Sequence, residues 1–115
     1  MAYVYIMTNK RRTVLYTGAT VDIQQRTLEH KTGFYERAFT LKYKCFHLVW
    51  FEEVDHYASA LEKERQVKRW RKDWKQQLIT SVNPEWKDLS AGWYQREELS
   101  QHLSLIHISE PTRPY

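Results

Sequence analysis

The chain has 115 residues, 42% of them hydrophobic and 15% aromatic, which suits one compact domain and argues against a second independent one. It carries 18 Lys and Arg against 14 Asp and Glu, and its single cysteine, Cys45, excludes an internal disulfide. No apolar run approaches the roughly 18 residues of a membrane span, and the N-terminus lacks a signal-peptide pattern. We therefore expect a cytoplasmic protein that does not associate with a membrane.

The basic residues are concentrated in one segment. Between Lys63 and Lys75 seven Lys and Arg residues are interleaved with Trp70 and Trp74, against only two acidic residues. This pattern predicts a polyanionic partner such as nucleic acid. A charged, solvated helix face is the alternative explanation of the same pattern.

Two apolar and aromatic runs near the N-terminus predict a β-hairpin; they are Tyr3–Thr8 and Thr13–Thr17. If the polar link between them is a four-residue loop, Thr8 pairs with Thr13. That register places Tyr5 opposite Tyr16 on the same face of the sheet.

A turn and a capped helix follow the hairpin. Gly18 is predicted to end the second strand, where a missing Cβ permits unusual backbone angles or a close approach by another group. Asp22 has the character of an N-cap, with Gln25 at the reciprocal position of a capping box. We predict a helix over Ile23–Lys31, ended by Gly33.

The later segments predict one further strand and more helix. Residues 34–44 have no clean period and indicate a basic, aromatic loop. Cys45–Phe51 is apolar at both alternating sets of positions, which favours a strand covered on both faces, so we expect it to be central. His56–Ser81 is predicted to form one helix, or two with a bend, ending at Asn83-Pro84. The whole is an α+β domain with a three-stranded antiparallel sheet, in the order β-β-α-β-α-α.

Three polar residues stand out from these elements. Arg26 and His30 are four residues apart, so they share one face of the first helix. Glu64 occupies a position where Leu61 and Val67 predict burial, and a desolvated carboxylate costs several kcal/mol unless it pairs with a cation or binds a metal. A salt bridge to a nearby lysine or arginine is the simpler alternative.

The C-terminal region divides into two parts. After Pro84 we expect an ordered tail whose Trp86 and Trp93 pack back on the domain. Residues 103–115 resemble the translation of a sequencing-library adapter, so we expect them not to be native. The expected organisation is one domain over 1–93, a tail over 94–102 and read-through from 103 onward.

Several short motifs occur together in one order and spacing. They are "YVYI" (3–6), "YTG" (16–18), "RTLEH" (26–30), "ALEKERQVKRW" (60–70) and "NPEWKDL" (83–89). In this combination the chain resembles the GIY-YIG nuclease superfamily, and within it the small single-domain bacterial branch of UPF0213-like proteins. The resemblance covers residues 2–93.

The sequence departs from the superfamily pattern at a few positions. Tyr3 and Val4 stand where the name-giving isoleucine and glycine would lie, and Thr17 replaces an isoleucine. These positions mainly pack strands, so the departures leave the polar motif residues intact. Some relatives carry a further active-site asparagine, for which Asn83 is the nearest candidate. We expect Asn83 to cap or end the helix instead.

The resemblance implies hydrolysis of nucleic-acid phosphodiesters with a single divalent ion, Mg²⁺ or Mn²⁺, held by Glu64 and water. Arg26 is then expected to bind the phosphate oxygens in the transition state, because its forked charge is permanent. Tyr5 and Tyr16 share activation of the water, with Tyr16 favoured as the base and Tyr5 as its hydrogen-bonded partner. His30 binds phosphate or relays a proton.

The expected partner is nucleic acid, with structured or single-stranded DNA in repair or recombination favoured, and the expected oligomeric state is a monomer. The residues expected to contact nucleic acid are Lys42, Tyr43, Lys44, Lys68, Arg71 and Lys72. The main alternative is a nucleic-acid-binding module of the same fold that does not cleave. A protein-interaction module that uses the tryptophan-rich helix is the third, and it leaves Glu64 and the two tyrosines without a purpose.

Overall fold

A computed structural model describes residues 1–32, 43–95 and 99. The elements in chain order are β1 (Ala2–Thr8), β2 (Leu15–Thr20), α1 (Ile23–Thr32), β3 (His47–Val54), α2 (Tyr57–Arg69) and α3 (Lys72–Val82). This confirms the predicted α+β class and element order. Most of the predicted basic loop, and the C-terminal read-through, lie outside the described residues. None of the described helices is long and apolar enough to cross a bilayer.

The three strands form an antiparallel sheet in the order β2-β1-β3. The prediction that Cys45–Phe51 forms the central strand is wrong, because β1 lies in the middle and β3 lies at one edge. The edge strand is nevertheless covered on both faces: Leu48 packs in one core cluster, while Val49 and Trp50 pack in the other. Apolar residues at both alternating sets of positions indicate that both faces of a strand are covered, but they do not indicate where the strand lies in the sheet.

The register of the hairpin differs from the predicted one. The expected pairs Thr8–Thr13 and Tyr5–Tyr16 are wrong, since Tyr5 stands opposite Gly18. The partner of Tyr5 has moved from residue 16 to residue 18. Because side chains alternate between faces with a period of two, this shift leaves Tyr5 and Tyr16 on one face, as predicted.

The register moves because the loop between β1 and β2 is longer than four residues. The side-chain Oδ1 of Asn9 accepts hydrogen bonds from the backbone N–H groups of Thr13 (2.8 Å) and Val14 (3.1 Å). The backbone N–H of Arg12 donates to the Asn9 carbonyl at 3.0 Å. Asn9 thus folds residues 9–14 into a closed loop, which delays the second strand.

Helix α1 begins where the sequence predicts and ends one residue later, at Thr32. The backbone N–H of Gln25 donates to Asp22 Oδ1 at 3.1 Å, which confirms the N-cap. The reciprocal half of the capping box is wrong. The Gln25 amide donates instead to Glu29 at 3.3 Å, and the Asp22 N–H donates to Thr20 Oγ1 at 3.1 Å.

The segment predicted as one helix, or two with a bend, forms two helices, α2 and α3. They are separated by Trp70 and Arg71, whose backbones are extended, with ψ of 150° and 154°. After this break Trp74 is 50% exposed, whereas Ile79 is fully buried.

The two faces of the sheet carry separate cores. On one face lie Tyr5, Met7, Ile23, Cys45 and Leu48; on the other lie Ala2, Val4, Ile6, Val49, Trp50, Ala60, Val67 and Ile79. The C-terminal segment closes both, as predicted, with Trp93 on the first and Trp86 on the second. Asn83 ends α3 as expected, and its amide donates to the carbonyls of Val49 (3.0 Å) and Lys87 (2.8 Å).

Candidate active site

Gly18 determines where the Tyr5 side chain lies. A Cβ atom on Gly18 would lie 2.5 Å from both Cζ and Oη of Tyr5, far inside van der Waals contact. The phenol therefore crosses β2 over this glycine, and any side chain at residue 18 would displace it. The predicted close approach is confirmed. The prediction that Gly18 ends the strand is wrong, since β2 continues to Thr20.

Three rings meet beside this crossing. The Tyr5 hydroxyl and Nε2 of His30 are hydrogen-bonded at 2.9 Å, within the buried part of the domain. The ring centroids lie 6.3 Å apart for Tyr5 and Tyr16 and 5.4 Å apart for Tyr16 and His30. Tyr5 and His30 are almost entirely buried, whereas Tyr16 is only partly buried.

Burial keeps both hydrogen-bonded groups neutral. It is the main cause that raises the pKa of Tyr5 well above its usual value; the charges of Tyr16 and Glu64 add to it, and Arg26 opposes it. Burial also lowers the pKa of His30 to about 4, and the Arg26 charge contributes in the same direction. At neutral pH the pair is therefore a phenol and an uncharged imidazole.

Arg26 lies at the open end of this pair. Its guanidinium hydrogen-bonds the Tyr5 hydroxyl and forms an ion pair with Glu29, from Nε to Oε1 at 3.4 Å. Since a guanidinium only donates, the Tyr5 oxygen accepts from Arg26, and we assign the phenol proton to the bond with Nε2 of His30. The Arg26 side chain remains 34% exposed, so part of it reaches the surface.

Glu64 reaches the same site from α2. Its side chain is 15% exposed, in keeping with the predicted inward position, and its charge acts on the Tyr5 hydroxyl. One carboxylate oxygen accepts from Lys68 Nζ at 2.8 Å. The salt bridge that the sequence left open as an alternative is thus present.

A divalent metal ion would find few protein ligands at this site. In the described ranges, no three His, Cys, Asp or Glu residues come together in a way that could hold an ion. Glu64 supplies hard carboxylate oxygens at the edge of the site, and Mg²⁺ commonly uses one or two protein carboxylates with water and substrate phosphate. The residues present therefore fit a magnesium-type ion held by few protein ligands, and they do not fit a closed site made of protein alone.

A surface cavity of about 270 Å³ opens beside Tyr16. It is lined by Leu15, Tyr16 and Thr17 from β2, together with Lys68 and Lys75. Burial and the neighbouring Lys68 charge lower the pKa of Lys75. Lys75 is not among the predicted nucleic-acid contacts, because its position depends on the break between α2 and α3, which no proline or glycine marks.

The other predicted nucleic-acid contacts on α2 and α3 lie apart from this cavity. Arg71 is exposed and stacks over Trp74, with its guanidinium carbon 5.2 Å from the ring centroid. Lys72 donates through Nζ to the carbonyl of Thr13 in the hairpin loop. Of the predicted basic residues on these helices, only Lys68 lines the cavity beside Tyr16.

The predicted contacts that precede β3 lie at another place on the surface. Tyr43 is 41% exposed, and Lys44 has a positive φ of 58°. Both line a cavity at the loop end of the hairpin. Lys42 lies outside the described residues. The predicted contacts therefore occupy two areas of the surface.

Comparisons with known proteins agree with these features. Residues 1–77 match the model of the GIY-YIG catalytic domain. The chain belongs to the GIY-YIG family, a family of nucleases.

Within the family its relatives are UPF0213 proteins, and the chain is UPF0213-like. It is 41% identical over 83 residues to one from Syntrophus aciditrophicus, covering 72% of this chain and 93% of that protein. It is 37% identical over 84 residues to one from Haloquadratum walsbyi, covering 70% and 92%. The solution NMR structure of a UPF0213 protein from Bacillus halodurans gives a TM-score of 0.49 at 26% identity, covering 80% of this chain and 98% of that one.

Proposed function

We propose that the chain is a metal-dependent endonuclease that hydrolyses phosphodiester bonds in structured or single-stranded DNA, in repair or recombination. The observation that carries the proposal is the cluster of Tyr5, Tyr16, Arg26 and His30 beside Gly18, with the charge of Glu64 acting on the same hydroxyl. A permanent cation, two phenols and a carboxylate gathered at one site match the needs of phosphodiester hydrolysis. We take residues 1–93 as the catalytic domain.

In this proposal Tyr16 activates or positions the attacking water. It is the less buried of the two tyrosines and lines a cavity open to solvent. Tyr5 stays protonated because burial raises its pKa, so it acts as a hydrogen-bond donor and not as a base.

Arg26 and His30 have separate roles. The exposed part of the Arg26 guanidinium binds the non-bridging phosphate oxygens, where its fork suits two oxygens at once. Because His30 is buried and uncharged at neutral pH, it does not serve as a phosphate-binding cation. It holds Tyr5 in place and offers a route for relaying a proton.

Glu64 would hold the single Mg²⁺ or Mn²⁺ ion, with waters filling the rest of its coordination. When bound, the ion supplies charge that offsets the negative charge developing on the phosphate and the leaving oxygen. Glu64 then has to release Lys68, whose half-exposed ammonium can return to water. Lys68 and Lys75, beside Tyr16, remain placed to attract the DNA backbone.

The proposal is tested with purified protein and labelled linear, flapped, branched and single-stranded DNA, each in Mg²⁺ and in chelator. We expect cleavage of at least one non-linear or single-stranded substrate in Mg²⁺ and none in chelator. Matched RNA strands in the same panel report the choice of nucleic acid. Absence of cleavage in every Mg²⁺ reaction would refute the proposed activity.

Arg26 provides the sharpest test of the assigned roles. Replacing it by alanine should lower turnover by at least ~100-fold, the scale expected for loss of one charge-stabilising group in a transition state. Arg26→Lys should restore little, because an ammonium cannot form the fork. Single-turnover cleavage rates measure both effects. A lysine variant as fast as wild type would show that the fork is not needed.

The Lys68–Glu64 ion pair favours the second candidate, a nucleic-acid-binding module of the same fold that does not cleave. If Lys68 is the permanent partner of Glu64, no divalent ion binds there. Titration calorimetry with Mg²⁺ separates the two, since the nuclease requires a binding signal that Glu64→Gln removes. DNA binding without that signal would establish the binding module.

A further inference from the structure

The loop end of the hairpin carries a second concave surface that the proposed chemistry does not use. Two cavities, of about 520 and 480 Å³, adjoin there and share Asn9, Lys10 and His47 as lining residues. We call the two cavities together the hairpin groove. Volumes of this size accommodate small ligands such as single nucleotides and are too small for a duplex.

The hairpin groove carries net positive charge. Lys10, Arg11 and Lys44 line it, and within the described part of the chain none of the three forms an ion pair. The two carboxylates at its edge, Glu85 and Asp88, are each already paired with a lysine. Cations around a concavity that form no ion pair with the described residues fit an anionic ligand.

Backbone strain is concentrated around the same groove. Among the described residues, three non-glycine residues have positive φ: Arg12 (61°), Lys44 (58°) and Trp86 (55°). All three line the hairpin groove. The left-handed region is costly for large side chains, and such strain is characteristic of functional sites. Two of the strained residues are cationic and one is aromatic.

The wall of the groove is fixed by its own contacts. Arg12 donates through Nη2 to the Glu85 carbonyl at 2.9 Å, and its guanidinium lies 5.9 Å from the centre of the Trp86 ring. The Trp86 indole N–H donates to Thr80 Oγ1 at 3.0 Å. On the other side, Tyr43 is 41% exposed, which gives the groove an accessible aromatic face.

The hairpin groove lies next to the candidate active site. Tyr16 pairs with Met7 of β1, and Lys10 follows Met7 by three residues in the hairpin loop, so the Cα atoms of Met7 and Lys10 are at most about 11 Å apart. Lys72 contacts the carbonyl of Thr13 and joins α3 to the loop. Lys75 of the same helix lines the Tyr16 cavity.

We propose that the hairpin groove binds a single-stranded flank of the nucleic-acid substrate, with Lys10 and Arg11 on its phosphates and a base stacked on Tyr43. The combination of cations and an exposed aromatic ring is typical of single-strand binding, since stacking requires unpaired bases. This proposal rests on the proposed function, because it takes the molecule bound at Tyr16 to be the one that continues into the groove.

The test measures binding of a fluorescein-labelled oligothymidylate by anisotropy over a series of salt concentrations, in a Glu64→Gln background that prevents cleavage. Lys10→Ala and Arg11→Ala should each reduce the steepness of log K against log salt by about 0.7, the value for one lost phosphate contact on a single strand. Tyr43→Ala should weaken binding about 10-fold and leave the slope unchanged. Arg65→Ala, an exposed cation on α2, should change neither.

A Lys10→Ala/Arg11→Ala double variant with the slope and affinity of its parent would overturn the proposal. A duplex that binds as tightly as the single strand, with the same dependence on these residues, would overturn it as well. Cleavage by the wild type is measured in parallel. If the wild type cleaves and the groove variants bind like their parent, the groove proposal is refuted and the proposed function stands. If the groove variants show reduced salt slopes and the wild type does not cleave, the groove proposal is supported and the proposed nuclease activity is refuted.

Discussion

His30 is a base that the fold keeps uncharged. It is 4% exposed, its Nε2 is hydrogen-bonded to the Tyr5 hydroxyl, and burial lowers its pKa to about 4. Arg26, one turn earlier on α1, adds a positive charge that further disfavours the imidazolium. The site therefore keeps its one permanent cation at the edge and a neutral hydrogen-bond pair in the interior.

This burial predicts a pH dependence of stability. The folded pKa of about 4 lies below the ordinary value of 6.5, so below pH 6.5 the unfolded chain binds a proton that the folded chain excludes. Stability should fall as pH drops from 6.5 to 4, by at most about 3 kcal/mol from this group. His30→Gln retains a hydrogen-bonding amide and should remove this contribution.

Urea unfolding of the wild type and His30→Gln at neutral and acid pH measures the difference. His56→Gln is the matched control, because His56 is exposed and makes no capping hydrogen bond with its side chain. The control should follow the wild type. Equal losses of stability in wild type and His30→Gln would show that the imidazole is not held neutral.

Individual residues of the candidate site were predictable to different degrees. The shared face of Tyr5 and Tyr16 was predictable because it depends on a period of two, which survives a register shift of two residues. The register itself was not, since it depends on the side chain of Asn9 folding the loop. Lys75 was not predictable either, because a tertiary contact brings it to Tyr16.

At the scale of elements, Asp88 ties three segments together. Its Oδ2 pairs with Lys31 Nζ of α1 at 2.6 Å, while Oδ1 accepts from the Leu48 N–H of β3 at 3.1 Å. Oδ1 also accepts from the hydroxyl of Ser90 at 2.6 Å. Burial acts to raise the pKa of Asp88, but the hydrogen bonds from Lys31 and Ser90 outweigh it and lower the pKa.

Replacing Asp88 by asparagine should destabilise the protein by about 2 kcal/mol, because a charge-assisted hydrogen bond contributes roughly 1.5–3 kcal/mol. Asp73→Asn is the control, since its ion pair with Arg71 is exposed and should contribute less than about 1 kcal/mol. Urea denaturation at neutral pH measures both. Equal stabilities of the two variants would contradict the role given to Asp88.

The helices and strands themselves were predicted better than their arrangement in the fold. Their order and most of their positions follow from periodicity and capping residues such as Asp22. No proline or glycine marks the break at Trp70 and Arg71, so the sequence did not decide between one helix and two helices with a bend. Strand order depends on which strand the tertiary fold places between the other two.

At the scale of the whole molecule, the sheet separates functions in space. One face carries Tyr5 and Tyr16 beneath α1, the other packs the core against α2 and α3, and the loop end of the hairpin bears the groove. In the proposed function, the cavity beside Tyr16 with Lys68 and Lys75, and the hairpin groove, are two separate binding areas for DNA.

The most direct test of the account compares the wild type with Glu64→Gln on one flapped DNA substrate in Mg²⁺. The account predicts cleavage by the wild type that chelator abolishes, and no cleavage by the variant. Because glutamine keeps the shape of Glu64 and Lys68 is half-exposed to water, the variant should remain folded and still bind DNA, which its unfolding midpoint and a binding assay check. A folded Glu64→Gln protein that cleaves at the wild-type rate would contradict the central claim.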